Sequence, residues 1–103
     1  MRVAVVMTVL ALCSTLVGAD ELFDQGKKVF MEEAQPSCAI CHALKDAGST
    51  GAIGPDFNDL KPTEEQVFNA VNGGVGIMPD FSETLSQEQI KAVSHYVSKA
   101  ASR

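Results

Sequence analysis

The chain has 103 residues, with 13 acidic against 8 basic side chains and a formal charge of -5 at neutral pH, enough for one domain and no more. Such a surface repels phosphate backbones, which argues against nucleic acid as a partner. It suits a partner that presents a basic patch, and it equally serves plain solubility.

In chain order, Met1-Arg2 is followed by an apolar run from Val3 to Val17 and by the small residues Gly18-Ala19 ahead of Asp20. A short basic start, an apolar stretch and small residues before a cut site read as a secretory signal peptide over residues 1–19. The rest of the chain, residues 20–103, is then expected in the periplasm as a soluble domain. The apolar run is shorter than the roughly 20 residues of a spanning helix. Lipid attachment at Cys13 is disfavoured, because Leu12 stands where a small residue belongs. Cleavage removes Arg2 and Cys13, so the charge becomes one unit more negative and Cys38 and Cys41 are the cysteines left. The remaining chain is small for a self-sufficient core, at a size where domains rely on a disulfide, a metal or another added element.

Helical spacing of Leu22, Phe23, Gly26, Val29 and Phe30 predicts a first helix from about Glu21 to Glu33. Asp20 is its expected cap and Pro36 ensures its end. Met31 is expected to fill a gap in the core. A second helix starts after Pro62, where Thr63 and Gln66 have the spacing of a capping box. Val67, Phe68 and Val71 form its apolar face, and Gly73-Gly74 closes it. A third starts at Ser86, with Gln89 completing another box and Ile90, Val93, Tyr96 and Val97 as its stripe. His95 on this helix reads as a surface or helix-packing residue. No segment shows strand alternation, so the class is all-α. The loops from about Lys45 to Lys61 and from Gly73 to Leu85 are long for so small a domain, and long loops need a site to justify them. A large, flat, apolar cofactor would supply the core they lack.

Cys38-Ala39-Ile40-Cys41-His42 is a C-x-x-C-H sequence, the attachment signature of c-type heme. On a turn of helix, positions three and four apart share a face, so both thiols and the imidazole can point the same way. The thiols can then add to two porphyrin vinyl groups while the imidazole reaches the iron. A thioredoxin-like reading lacks the βαβ pattern it needs. A zinc site would want four ligands, and His95 lies far along the chain from the Cys-Cys-His group. For a sixth iron ligand, a soft and neutral methionine sulfur would raise the reduction potential. Spacing alone leaves Met78 either as that ligand or as a residue packed near the heme.

On these residues the chain resembles the class I c-type cytochromes, in particular their short bacterial single-heme members. The resemblance covers nearly all of residues 20–103. Gly26 and Phe30 stand where the family has a glycine and an aromatic in its first helix, and Tyr96 matches the aromatic that crosses against them. Gly54-Pro55 and Met78-Pro79 match two further landmarks. The resemblance implies a cytochrome c domain over residues 20–103, helices wrapped around one heme c bound covalently through Cys38 and Cys41. It implies His42 and Met78 as the iron ligands and the Pro55 carbonyl as acceptor for the other ring N–H of His42, a usual arrangement for a ligating histidine. Gly54 would allow the backbone close to the porphyrin.

The function implied is single-electron transfer rather than catalysis, from a periplasmic dehydrogenase to a terminal oxidase or another cytochrome. Similarity to cytochromes that serve dedicated dehydrogenases, sulfite dehydrogenase among them, rests on the whole sequence and on no one residue. A weakly charged front face of Ala39, Ile40, Ala52, Ile53, Ile77 and Pro79 is expected to make the brief contacts of redox partners. The alternative is a heme enzyme or sensor with an open sixth iron position, which would need acid–base groups beside the iron.

Overall fold

Two apolar stripes at helical spacing, one near each end of the domain, must bury their faces, and in the structure they bury them against each other. The computed structural model describes residues 18–103; the signal-peptide reading rests on residues that, apart from Gly18 and Ala19, lie outside the described residues. Helix α1 spans Ala19–Lys28 and continues as a wider π turn over Val29–Glu33. Helix α5 spans Gln87–Ala101. They cross at Gly26. A Cβ at this position would lie 2.0 Å from the carbonyl oxygen of Ala92 and 2.5 Å from Cβ of Tyr96, so the crossing is as close as it is because Gly26 has no side chain. Around it Tyr96 and Phe30 are fully buried. The Tyr96 ring meets Phe23 edge-on at 4.8 Å and Phe30 at 5.7 Å, the geometry aromatic pairs prefer.

Asp20 does not cap α1. The helix begins two residues earlier than expected, at Ala19, with the Leu22 N–H donating to the Gly18 carbonyl at 3.0 Å, and Asp20 sits in the first turn, where a carboxylate favours the helix dipole. Met31 is also not a core residue: it is 39% exposed. The buried positions of this segment are Val29 and Phe30, the two that belong to the apolar stripe, and Met31 lies off it.

Both capping boxes form. In helix α4, Glu64–Gly73, the Thr63 hydroxyl accepts from the Gln66 N–H, and Gln66 Oε1 accepts from the Thr63 N–H at 2.9 Å. Ser86 and Gln89 do the same at the start of α5. His95 lies between these helices, its Nδ1 2.6 Å from Glu64 Oε1, in the helix-packing place the sequence gave reason to expect.

Between α1 and α4 the chain is more structured than its glycines indicate. A four-residue helix α2, Cys38–Cys41, runs into strand β1, His42–Leu44, which pairs antiparallel with β2, Ser49–Ala52. A short helix α3, Phe57–Leu60, follows, capped by Asp56, whose carboxylate accepts from the Asn58 N–H at 2.9 Å. The strands are too short to display alternation, and a register irregularity after His42 breaks what little there is. They leave the class unchanged: the fold is a small helical one with a single short hairpin among the described residues.

The turn of this hairpin is tied to the helix crossing by Asp46. Its Oδ2 accepts from the Tyr96 hydroxyl at 2.8 Å and lies 3.3 Å from Lys27 Nζ, and its Oδ1 lies 3.7 Å from Arg103. Burial alone would raise the Asp46 pKa, but the Tyr96 hydrogen bond and the Lys27 ammonium outweigh it and hold the carboxyl below its ordinary value. Burial, and then the Asp46 carboxylate beside it, push the Tyr96 phenol up.

Two outcomes follow. Gly26→Ala should destabilise the folded protein by about 2–3 kcal/mol, the upper range for overpacking against fixed backbone, read from the midpoint of urea unfolding. A carboxyl whose folded pKa is depressed contributes stability above its unfolded value and loses it as pH falls through the folded value. Asp46→Asn should therefore lower stability at neutral pH and flatten its fall below about pH 4, measured as melting temperature against pH.

Candidate heme-binding site

Ser37 starts the site. Its hydroxyl accepts from the Ala39 N–H at 3.3 Å, capping α2, and lies 3.0 Å from the carbonyl oxygens of both Phe30 and Met31, to which it can donate. One side chain thus begins the C-x-x-C turn and fastens it to the end of the first helix. The helix covers Cys38 to Cys41 and stops there: His42 is extended, at φ -113 and ψ 132. The three motif residues therefore do not share one helical turn as the spacing implied. They nevertheless line the same cleft, because β1 begins where α2 ends.

That cleft has a volume of about 560 Å³, within the range of cofactor sites. Cys38, Cys41, His42, Gly54, Pro55 and Met78 all line it, so every site residue expected from the sequence is brought to one place. No Lys, Arg, Asp or Glu is among its lining residues. The site fits a large, flat, apolar ring with two thiols at hand; among the described residues no group of three or more His, Cys, Asp or Glu could hold a metal ion.

The His42 ring is 4.2 Å from the Phe57 ring, centroid to centroid, with 15° between their planes. Its Nδ1 is 2.8 Å from the Pro55 carbonyl oxygen. A carbonyl can only accept, so Nδ1 carries the proton and the lone pair stays on Nε2. The tautomer is fixed by the backbone. Gly54 completes the enclosure: a Cβ there would stand 2.5–2.9 Å from three atoms of the imidazole. The sequence assigned Gly54 to a close approach to porphyrin; in the structure its close approach is to His42.

Cys38 and Cys41 are free thiols, both half-buried. Burial pushes the Cys38 thiol up to about 11.

Met78 comes from a different wall, past the end of α4. A turn closed at both ends presents it: the Met78 N–H donates to the Val75 carbonyl at 2.9 Å, and the Val75 N–H to the Met78 carbonyl at 3.2 Å. Gly74 has φ +76, and a Cβ on it would crowd the Met78 carbonyl oxygen and the Asp80 nitrogen at 2.9 Å each. Phe81 returns the chain to α4 by donating to the Val71 carbonyl at 3.0 Å. Met31 is not among the lining residues.

Around the cleft Ile40, Ile53 and Ile77 are 61%, 64% and 85% exposed. Ala52 and Pro79 are exposed and Ala39 half-buried. Phe57 and Ser37 went unnoticed in the sequence. A serine before the first cysteine is a readable cap. Phe57 had a weaker signal, a large apolar residue two places after Gly54-Pro55 in a segment otherwise poor in them.

Gly54→Ala should drive the imidazole off the Pro55 carbonyl. The check is the ring nitrogen NMR spectrum of His42, in which the protonated Nδ1 resonance should shift or be lost.

Residues 21–97 match the family model described as cytochrome C oxidase, cbb3-type, subunit III. The chain is 38% identical over 76 residues to cytochrome c6 of Leptolyngbya boryana, covering 70% of this chain and 85% of that protein. It is 36% identical over 87 residues to cytochrome c6 of Tetradesmus obliquus, covering 75% and 89%. The crystal structure of the c-type cytochrome SorU from Sinorhizobium meliloti has a TM-score of 0.78 at 42% identity, covering 82% of this chain and 95% of that one.

Proposed function

The chain belongs to the small class I c-type cytochromes, which carry electrons on one covalent heme c, and from that premise we propose a periplasmic carrier whose iron is ligated by His42 and Met78. The single observation behind this reading is the shared cleft. It places Cys38, Cys41 and His42 on one wall and Met78 on another, with no charged lining residue.

Bound heme c supplies an iron that gains and loses one electron. The rest falls to the chain. Cys38 and Cys41 anchor the ring through thioethers. His42 offers Nε2, because the Pro55 carbonyl holds the proton on Nδ1. The Met78 sulfur is soft and neutral, which favours the reduced state and a raised potential. With His42 and Met78 both holding the iron, little would have to move when its charge changes and no coordination place would be open to a substrate. That supports a carrier over the alternative, a heme enzyme or sensor with an open sixth position.

The partners we propose are a periplasmic dehydrogenase as donor, with sulfite dehydrogenase one candidate, and a terminal oxidase or another cytochrome as acceptor. Exposed Ile40, Ile53 and Ile77 support brief apolar contact near the cleft, and the acidic surface supports steering toward a basic partner. Among the described residues no helix is long and apolar enough to cross a membrane. We further propose that residues 1–19 are removed on export, leaving residues 20–103 as the cytochrome domain.

Expression of the full chain in a host that attaches c-type heme tests the reading. The intact mass should equal residues 20–103 plus one heme. The oxidised protein should be low-spin, with the weak long-wavelength band of methionine sulfur on ferric iron. Met78→Ala should abolish that band and Met31→Ala should leave it. A high-spin oxidised spectrum would favour the open-site alternative, and absence of covalent heme would overturn both.

A further inference from the structure

Gly54, Pro55 and Phe57 are within four positions of one another, and each touches the His42 imidazole in a different way. Pro55 holds its edge, through the 2.8 Å contact to Nδ1. Phe57 covers one face, nearly parallel at 4.2 Å. Gly54 lies over the other. A Cβ on Gly54 would have three imidazole atoms as its nearest neighbours, at 2.5–2.9 Å, and no atom of Phe57 as near; a position between the two stacked rings would be at least as close to the phenyl. The imidazole is therefore enclosed on both faces and pinned at one edge.

The hydrogen bond alone would not fix the plane of the ring. Hydrogen-bond angles at a carbonyl are broad, so an imidazole held only by Nδ1 can twist about its own Cβ–Cγ bond. A flat neighbour stacked on its face opposes that twist, and Phe57 is itself held. It is 9% exposed, heads the capped helix α3, and meets the buried Phe30 ring at 6.3 Å. Phe30 in turn contacts Tyr96 at the helix crossing.

We propose that Phe57 is a positioning residue that sets the plane of the axial imidazole, and through it the distribution of unpaired electron spin over the oxidised heme. The proposal rests on His42 as an iron ligand and adds the residue that orients it. Its physical basis is general: in a low-spin ferric heme the orientation of an axial imidazole plane selects which iron orbital shares its unpaired electron with the porphyrin. That choice appears directly in the proton NMR shifts of the four heme methyl groups.

The experiment compares the oxidised holoprotein with three variants. Phe57→Leu removes the flat face while keeping an apolar side chain, Phe57→Tyr keeps the ring, and Phe23→Leu removes an aromatic at the helix crossing that does not line the cleft. Phe57→Leu should change the order or the spread of the heme methyl shifts and the g values of the frozen ferric protein. Phe57→Tyr should keep the parent pattern. Phe23→Leu should lower the melting temperature and leave the methyl pattern unchanged. A Phe57→Leu protein that melts earlier with the parent methyl pattern would overturn the proposal and reduce Phe57 to packing. If Phe57→Leu does not accumulate, Phe57→Met, which fills space without a flat face, is read in the same way. Failure of the ligand assignment is visible separately, as a parent spectrum that is not low-spin.

Discussion

The contact on which the rest of this molecule depends is between two backbones. At Gly26, helix α1 lies against the main chain of α5 at Ala92, at a distance only the absence of a side chain permits. That approach lets Tyr96 reach Phe23 on one side and Phe30 on the other. It also sets where Phe30 stands, and Phe30 is the residue against which Phe57 packs. Phe57 then stacks on His42. A continuous series of ring contacts thus joins the helix crossing to the candidate iron ligand.

Asp46 ties in the remaining element. It sits in the turn of the hairpin that begins with His42, and it is bonded to the crossing helices through Tyr96 and Lys27. Lys27 makes two contacts there, with the carboxylate and with the Asp46 carbonyl oxygen at 3.1 Å. The Tyr96 hydroxyl, otherwise a polar atom in an apolar crossing, gains an ionised acceptor, and such bonds are the stronger kind. The hairpin is thereby fixed at its turn by charge and at its start by the packing around His42.

How much of this was legible in the residues depends on the range of each interaction. Helices α1, α4 and α5 announce themselves because their signals are local: an apolar stripe, or Thr63-to-Gln66 and Ser86-to-Gln89 spacing. The C-x-x-C-H sequence is local too, and the family resemblance brought Gly54, Pro55 and Met78 to it. What escaped was non-local or sub-threshold. Asp46 and Tyr96 are 50 positions apart, and nothing at Asp46 marks it as bonded. Strands of three and four residues cannot show a period. Met31 is apolar but lies one position beyond the stripe of Val29 and Phe30, and that place on the helix, not its residue type, decides its exposure.

The two walls of the cleft are held by different physics. His42 is fixed as a side chain: faces, edge and tautomer are all set by named neighbours, and its ring is buried. Met78 is fixed as backbone: the turn from Val75 closes on it with two hydrogen bonds, and its thioether is held by apolar packing. A flexible, unbranched thioether can adjust its reach where an imidazole in an aromatic stack cannot. The glycine-rich stretch around Gly74 and Gly76 serves that division, since its left-handed residues shape the turn and leave the final approach to the side chain. Rigidity is concentrated on the wall that carries the attachment motif, and adaptability on the wall that closes over it.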